Sequence, residues 1–487
     1  MEVNKQPQRQ SHIRRALKTR HLSMIALGGS IGTGLFVASG SAISTAGPGG
    51  GLVAYIGIGL MVYFLMTSLG EMATYLPVTG SFATYSKRFV DPALGFAMGW
   101  NYWFNWAITL AVDITTVALV MKFWLPNVPS WIFSLAALAL IFCINAFSVL
   151  SFGETEYWLA LIKVVTVIIF LIIGVLTIFG IMGGHAVGME NLFYKKAPFV
   201  GGVPAVLSVF IVAGFSFQGT ELIGITAGES KTPEKSIPKA IKQVFWRILL
   251  FYILSIFIIA CLIPYTSPNL LGSSTSDITI SPFTLVFRRA GLASAASVMN
   301  AVILTSVLSS ANSGMYASTR MLYSLARAGD APRIFGLLNI RGIPFPALLG
   351  TTAVGLFTFL ASVYGTRIYT FLVSASGLTG FIAWLGIAIS HYRFRRAFKK
   401  QGKSLEELRY HAKLFPLGPL LSLVLCILVI VGQDLKSFAN WDWQAISVSY
   451  MSVPLFLILF FYYKIKYHTR LIPLEEIDLE PIDVKKK

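Results

Sequence analysis

Two stretches of this 487-residue sequence place flexible and polar residues inside otherwise apolar runs. The first is Gly28-Gly29-Ser30-Ile31-Gly32-Thr33-Gly34. The second is Gly214-Phe215-Ser216-Phe217-Gln218-Gly219-Thr220-Glu221. Glycine at this density disfavours helix and leaves backbone groups open to a ligand. At membrane depth, unwound backbone is tolerated only where it lines a cavity or is buried in protein. A break exposes N–H groups at the start of a half-helix, which suit a carboxylate. It exposes carbonyls at the end of the other half-helix, which suit an ammonium. An α-amino acid carries both groups. Ser30, Ile31, Gly32, Thr33 and Gly34 are therefore candidates to hold an α-carboxylate, with carbonyls near both breaks for the α-ammonium. Close helix packing through small residues is the competing account of the glycines. A phosphate loop is excluded, because no Lys follows Gly34 and position 37 is Val where a dinucleotide fingerprint needs Gly.

Charges inside apolar runs are costly in hydrocarbon and mark functional candidates. Glu221 follows the second break and suits a cationic side chain, a proton or a neighbouring Lys; a hydrogen-bonded packing acid is the alternative. Lys163 lies about seven residues inside a span, where it either snorkels to the surface or titrates because it is desolvated. Glu229 and Glu71 lie near span ends, and a structural role is expected for Glu71. Asp113, in the outer half of its span, either attracts a cation or bonds to a neighbouring helix.

Tyr102 and Trp106 are four apart and share a helix face. With Phe215 and Phe217 they form a candidate lining for an aliphatic stem, Phe215 and Tyr102 acting as gates; ordinary aromatic packing is the other account. Ser309, Asn312, Ser313 and Tyr316 recur at i, i+3, i+4 and i+7, a polar stripe that must face protein or water. Neither a metal-ligand spacing nor a nucleophile–His pair occurs, so an intramembrane enzyme is unsupported.

These groups need elements to hold them. The chain is 55% hydrophobic and 12% charged, with mean hydropathy +0.71, too apolar for one soluble core. Its apolar residues fall in blocks of about twenty, the length that crosses a bilayer as helix. The predicted spans are 22–46, 50–76, 95–123, 130–150, 157–182, 203–227, 242–263, 291–318, 345–363, 370–391, 415–433 and 446–464. This predicts an all-α polytopic membrane protein with twelve crossings. The first block lacks a cleavage-site pattern and is expected to be a mature span. Cys143, Cys261 and Cys426 fall in or beside spans and offer no disulfide framework.

The net charge of +18 reflects topology rather than nucleic-acid binding. With a cytoplasmic N-terminus, 31 of the 39 Lys and Arg fall on the cytoplasmic side, the positive-inside pattern. Both termini are then cytoplasmic, and anionic lipid adds attraction. Residues 1–20 form a polar arm. Residues 21–468 form one membrane domain, and 469–487 a tail expected to be unstructured. The broken spans are first and sixth in order. Corresponding positions in two inverted five-span repeats, about 21–183 and 202–392, would explain this, with extra helices at about 415–466.

The run Gly29 to Phe36 (GSIGTGLF) resembles the first-span signature of the amino acid–polyamine–organocation permeases. Phe215 to Glu221, then Ala227-Gly228-Glu229-Ser230 and Ile237-Pro238-Lys239-Ala240, resemble the sixth span of its amino acid transporter branch. Ser309 to Arg320 (SSANSGMYASTR) is similar to that branch's eighth span. The resemblance runs from about residue 14 to 466 and is strongest to the lysine-specific subfamily. It implies a LeuT-type core of two inverted five-helix repeats, alternating access, and an amino acid held at the breaks of helices 1 and 6. It implies that Lys163 occupies the place of a sodium site, favouring H⁺ over Na⁺. It also implies that Glu221 and Glu229 serve transport and that Tyr102, Trp106 and Phe215 shape the pocket. The expected partners are L-lysine, H⁺ and the lipid of a bacterial inner membrane, with no metal or cofactor. Another amino acid, exchange, a lysine sensor with a membrane partner, and a channel are the rival readings.

Overall fold

A computed structural model describes residues 15–28, 31–32, 34–271, 281–292, 295–359 and 366–480. Within these every regular element is a helix, and one isolated parallel bridge joins Leu17 and Ser230. Helix α1 spans Thr19–Gly28. After the break, a π-turn over Gly34–Ala38 enters α2, Ser39–Tyr75. α2 is kinked where Gly47, at φ 77°, precedes Pro48, which divides the first predicted span from the second.

Five further helices follow: α3 (Ser81–Phe89), α4 (Pro92–Met121), α5 (Ser130–Phe147), α6 (Val149–Ile178) and α7 (Gly202–Phe217). The next four are α8 (Leu222–Thr226), α9 (Pro233–Arg247), α10 (Leu254–Leu262) and α11 (Pro282–Arg289). The chain continues through α12 (Ala295–Arg327), α13 (Phe345–Gly355) and α14 (Thr366–Lys400). It ends with α15 (Leu417–Gly432), α16 (Trp443–Tyr450) and α17 (Ser452–Tyr467). Among the described residues, six helices are long and apolar enough to cross a membrane, seven if the bent pair α16–α17 counts as one. α6 leaves Trp158, Ile168 and Ile172 exposed, an apolar face suited to lipid. The molecule is a membrane protein.

Local signals explain the boundaries. Asp91 caps α4 by accepting from the Ala93 amide at 2.8 Å, with Pro92 in the first turn. Ser148, in extended conformation, ends α5 and caps α6 through the Ser151 amide at 2.9 Å. The fifth helix therefore starts at 149 rather than 157, which puts Lys163 near its centre instead of a short way in.

Helix α14 runs on to Lys400, so Arg393, Arg395 and Arg396 sit on a helix and not in a loop. The segment after Tyr467 also departs from expectation. Its residues up to 480 pack on the α3 and α14 ends. Arg88 Nε and Nη2 donate to the Asp478 and Glu480 carbonyls at 2.8 and 2.6 Å. Gln401 Nε2 donates to Leu474 and Ile477 carbonyls at 3.0 and 2.8 Å, and Ile477 and Leu479 are buried. The acids at 475, 476, 478 and 480 around them hid these two apolar anchors. Deleting the chain from 469 onward is expected to remove about 3 kcal/mol or more of stability, since each buried aliphatic side chain is worth about 1.5–3 kcal/mol. Thermal unfolding of the purified truncation checks this; an unchanged midpoint would refute the anchoring role.

Candidate functional site at two helix breaks

The second break lies between α7 and α8. Phe217 ends α7, Gln218 leaves helical geometry, and Gly219 takes φ 95°, a conformation that favours glycine. Arg247 Nη2 donates to Thr220 Oγ1 at 2.5 Å and Thr220 Oγ1 donates to the Phe217 carbonyl, so side chains stand in for lost helix bonds. Gln218 Nε2 donates to the Gly377 carbonyl of α14 at 2.8 Å.

The first break abuts the second. A Cβ built on Gly34 would lie 2.5 Å from Ser216 Cα and 2.9 Å from Ser216 N, so no larger residue fits there. Ser216 Oγ in turn pairs with Tyr55 Oη at 2.9 Å. Ser306 Oγ on α12 donates to the Ile31 carbonyl at 2.7 Å, one freed acceptor satisfied by a neighbouring helix. Ser30 and Thr33 lie outside the described residues.

Gly32, Gly34, Trp106, Asp113, Phe215 and Gln218 line a small cavity of about 20 Å³ between the breaks, room for about one water in this closed arrangement. Tyr102 and Trp106 do share a face of α4, with ring centroids 6.2 Å apart. Phe215 faces the cavity, but Phe217 does not line it: its ring stacks on Tyr252 at 4.0 Å within the core. Glu221 is fully buried beside the break. Its carboxylate accepts from Tyr102 Oη and Trp384 Nε1, each at 3.1 Å, and from the Gly219 amide at 3.2 Å. That carboxylate pins α4 and α14 to the second break.

The α12 stripe divides. Ser309 Oγ and Asn312 Nδ2 donate to Glu156 of α6 at 2.5 and 3.3 Å, while Ser310, one residue on, lines the cavity. Ser313 is buried on the same helix, and among the described residues its hydroxyl has no hydrogen-bond partner. Lys163 is fully buried, and its ammonium faces the carboxylates of Glu156 and Asp113. Glu156 is the functional-looking residue that sequence reasoning missed. It lies seven before Lys163, hence on the same face of α6.

Towards the other end of the bundle, Glu229 Oε1 accepts from Arg320 Nε at 2.7 Å, both groups buried. Glu71 pairs with Arg395 and His391 and accepts from the Ala412 amide at 2.7 Å, a structural role as expected. No group of three His, Cys, Asp or Glu suited to a metal occurs among the described residues.

Paired helix breaks around a buried cavity within a membrane bundle define a carrier-like site. Residues 21–474 match the amino acid permease family, and the chain belongs to that family. It is 63% identical over 476 residues to the lysine-specific permease LysP of Lactococcus lactis subsp. cremoris (strain MG1363), covering 96% of this chain and 93% of that one. It is 56% identical to the lysine-specific permease LysP of Escherichia coli (strain K12), covering 97% and 98%. It is equally, 56%, identical to the histidine permease HisP of the same Lactococcus strain, covering 96% and 98%.

Proposed function

We propose that the chain imports L-lysine by proton symport with alternating access. The observation that carries this reading is the cavity between the breaks, in which the charged lining side chain is a carboxylate, Asp113. Half-helix ends serve the amino acid's two α-groups, and an anionic lining suits a cationic side chain. Two relatives named as lysine-specific permeases, at 63% and 56% identity, support the substrate. Twelve crossings, two inverted repeats and cytoplasmic termini in a bacterial inner membrane complete the reading, supported by the distribution of Lys and Arg.

Lys163, buried on α6 and facing Glu156 and Asp113, serves as the coupling group, with Glu221 and Glu229 assisting and Na⁺ not required. Ser30 and Thr33 join Gly32 and Gly34 at the α-carboxylate. Phe215 closes over the substrate. The energetics suffice: one charge moved inward across 100 mV yields about 2.3 kcal/mol, so lysine⁺ plus H⁺ gains about 4.6 kcal/mol. At about 1.4 kcal/mol per tenfold, that sustains more than a thousandfold accumulation.

Histidine is the second reading, favoured by the equal identity to the histidine permease. The test is uptake of radiolabelled lysine and histidine into proteoliposomes, with the pH gradient and membrane potential imposed separately. Lysine uptake is expected to respond to both gradients. Lys163→Met is expected to abolish the response to the pH gradient. Uptake of histidine in place of lysine would overturn the substrate, and lysine uptake driven by potential alone would overturn the symport.

A further inference from the structure

Glu221 is the acid a sequence reading assigns to a cationic substrate, yet three protein donors already occupy its carboxylate. A carboxylate so engaged holds a fold better than it receives a ligand. Asp113 is the reverse. It is 1% exposed, it lines the cavity between the breaks, and among the described residues no donor is placed to hydrogen-bond either of its oxygens. Ser310 on α12 and Lys163 on α6 are the polar groups that face it.

Lys163 faces two carboxylates, Glu156 and Asp113. Glu156 lies on the helix of Lys163 and is further satisfied by Ser309 and Asn312. Asp113 is the acid of the two that remains open to a further donor. Buried charges persist when something pairs with them. A neutral amino acid supplies an α-carboxylate and an α-ammonium, both matched by the half-helix ends at the breaks. A further carboxylate in that cavity has work only when the substrate brings one more positive charge. Position 113 also falls on the cavity face of α4 for a simple reason: Trp106, Thr109 and Asp113 are spaced i, i+3 and i+7, and all three line it.

We infer that Asp113 receives the side-chain ammonium of the substrate and so sets the preference for a cationic amino acid. Glu221 is then a positioning residue that fixes the pocket wall through Tyr102 and Trp384. This rests on the lysine reading of the site and adds the residue that distinguishes lysine from a neutral amino acid of the same shape.

The experiment compares direct binding of radiolabelled lysine and norleucine, which has the same stem without the ammonium, to the full chain in lipid nanodiscs. In Asp113→Asn the ratio of lysine to norleucine affinity is expected to fall roughly thirtyfold or more, the scale of removing one partner of a buried charge pair. Norleucine binding itself should persist. Equal loss of both ligands would place Asp113 at the α-ammonium and overturn the inference. Undiminished lysine binding would assign it to the proton or to packing and overturn it as well. Should Asp113→Asn fail to fold, Asp113→Glu decides. Its longer arm is expected to shift preference from lysine towards ornithine, one methylene shorter, and an unchanged lysine-to-ornithine ratio would reject the contact. A wild-type protein that binds no lysine would instead refute the permease reading on which the inference stands.

Discussion

Replacing Arg320 with alanine is expected to destabilise the protein by about 3–5 kcal/mol, the usual scale for removing one member of a buried ion pair. Arg320 is 1% and Glu229 0% exposed, and their contact is 2.7 Å. The guanidinium also lies 4.4 Å above the Tyr316 ring, which stacks on Phe152 of α6 at 3.9 Å. Loss of the guanidinium strands the Glu229 carboxylate and unseats this stack. Desolvation, rather than attraction, dominates the cost, which gives the experiment a second arm. A variant carrying both Arg320→Met and Glu229→Leu removes both charges at similar volume and should recover most of the lost stability. Denaturant titration of the purified proteins measures both. A double variant no more stable than Arg320→Ala alone would show that packing, not the stranded charge, carries the effect.

The second large effect concerns Gly34. An alanine there places a methyl group 2.5 Å from Ser216 Cα and 2.9 Å from Ser216 N, backbone atoms that cannot rotate away. The two breaks must separate, and the cavity between them changes shape. Overpacking of this kind costs about 1–3 kcal/mol. Placed on the substrate's transport-competent pose, that is roughly a ten- to hundredfold loss of uptake. Gly377→Ala supplies the control, since a Cβ there meets nothing within 4 Å although Gly377 also touches Gln218. Initial rates of amino acid uptake, normalised to protein in the bilayer, test the pair. Normal uptake by Gly34→Ala would mean that the close approach of the breaks is not needed for transport.

The two breaks were legible because polar and glycine residues interrupt apolar runs, a signal that survives without any knowledge of neighbours. Trp106 and Phe215 at the cavity followed from the same local pattern, whereas Tyr102, read as a lining residue, turns its hydroxyl to Glu221 instead. Glu156 was hidden by a boundary. Hydropathy stops the fifth span where acids begin, and only the Ser148 cap marks the true start. The buried arginines were hidden by distance. Arg320 finds its acid 91 residues away and Arg395 finds its own 324 away, so charge counting assigned both to loops. A cation in solvent and a cation sealed against a remote carboxylate look alike in a sequence. Phe217 shows the same limit, since spacing alone does not say which side of a break an aromatic ring will take.

The parallel bridge at Leu17 bears on slippage. The Leu17 amide donates to the Glu229 carbonyl and the Lys231 amide donates to the Leu17 carbonyl, each at 3.1 Å, while Thr19 Oγ1 meets Ser236 Oγ at 2.9 Å. The stretch leading into the first broken helix is thus stitched to the exit of the second by backbone bonds that side-chain replacement does not remove. Displacing either helix without the other would cost those three hydrogen bonds. Under the alternating access proposed above, such a tether would join the two broken helices into a single moving unit, so that ion entry and cargo entry would be set by the same displacement.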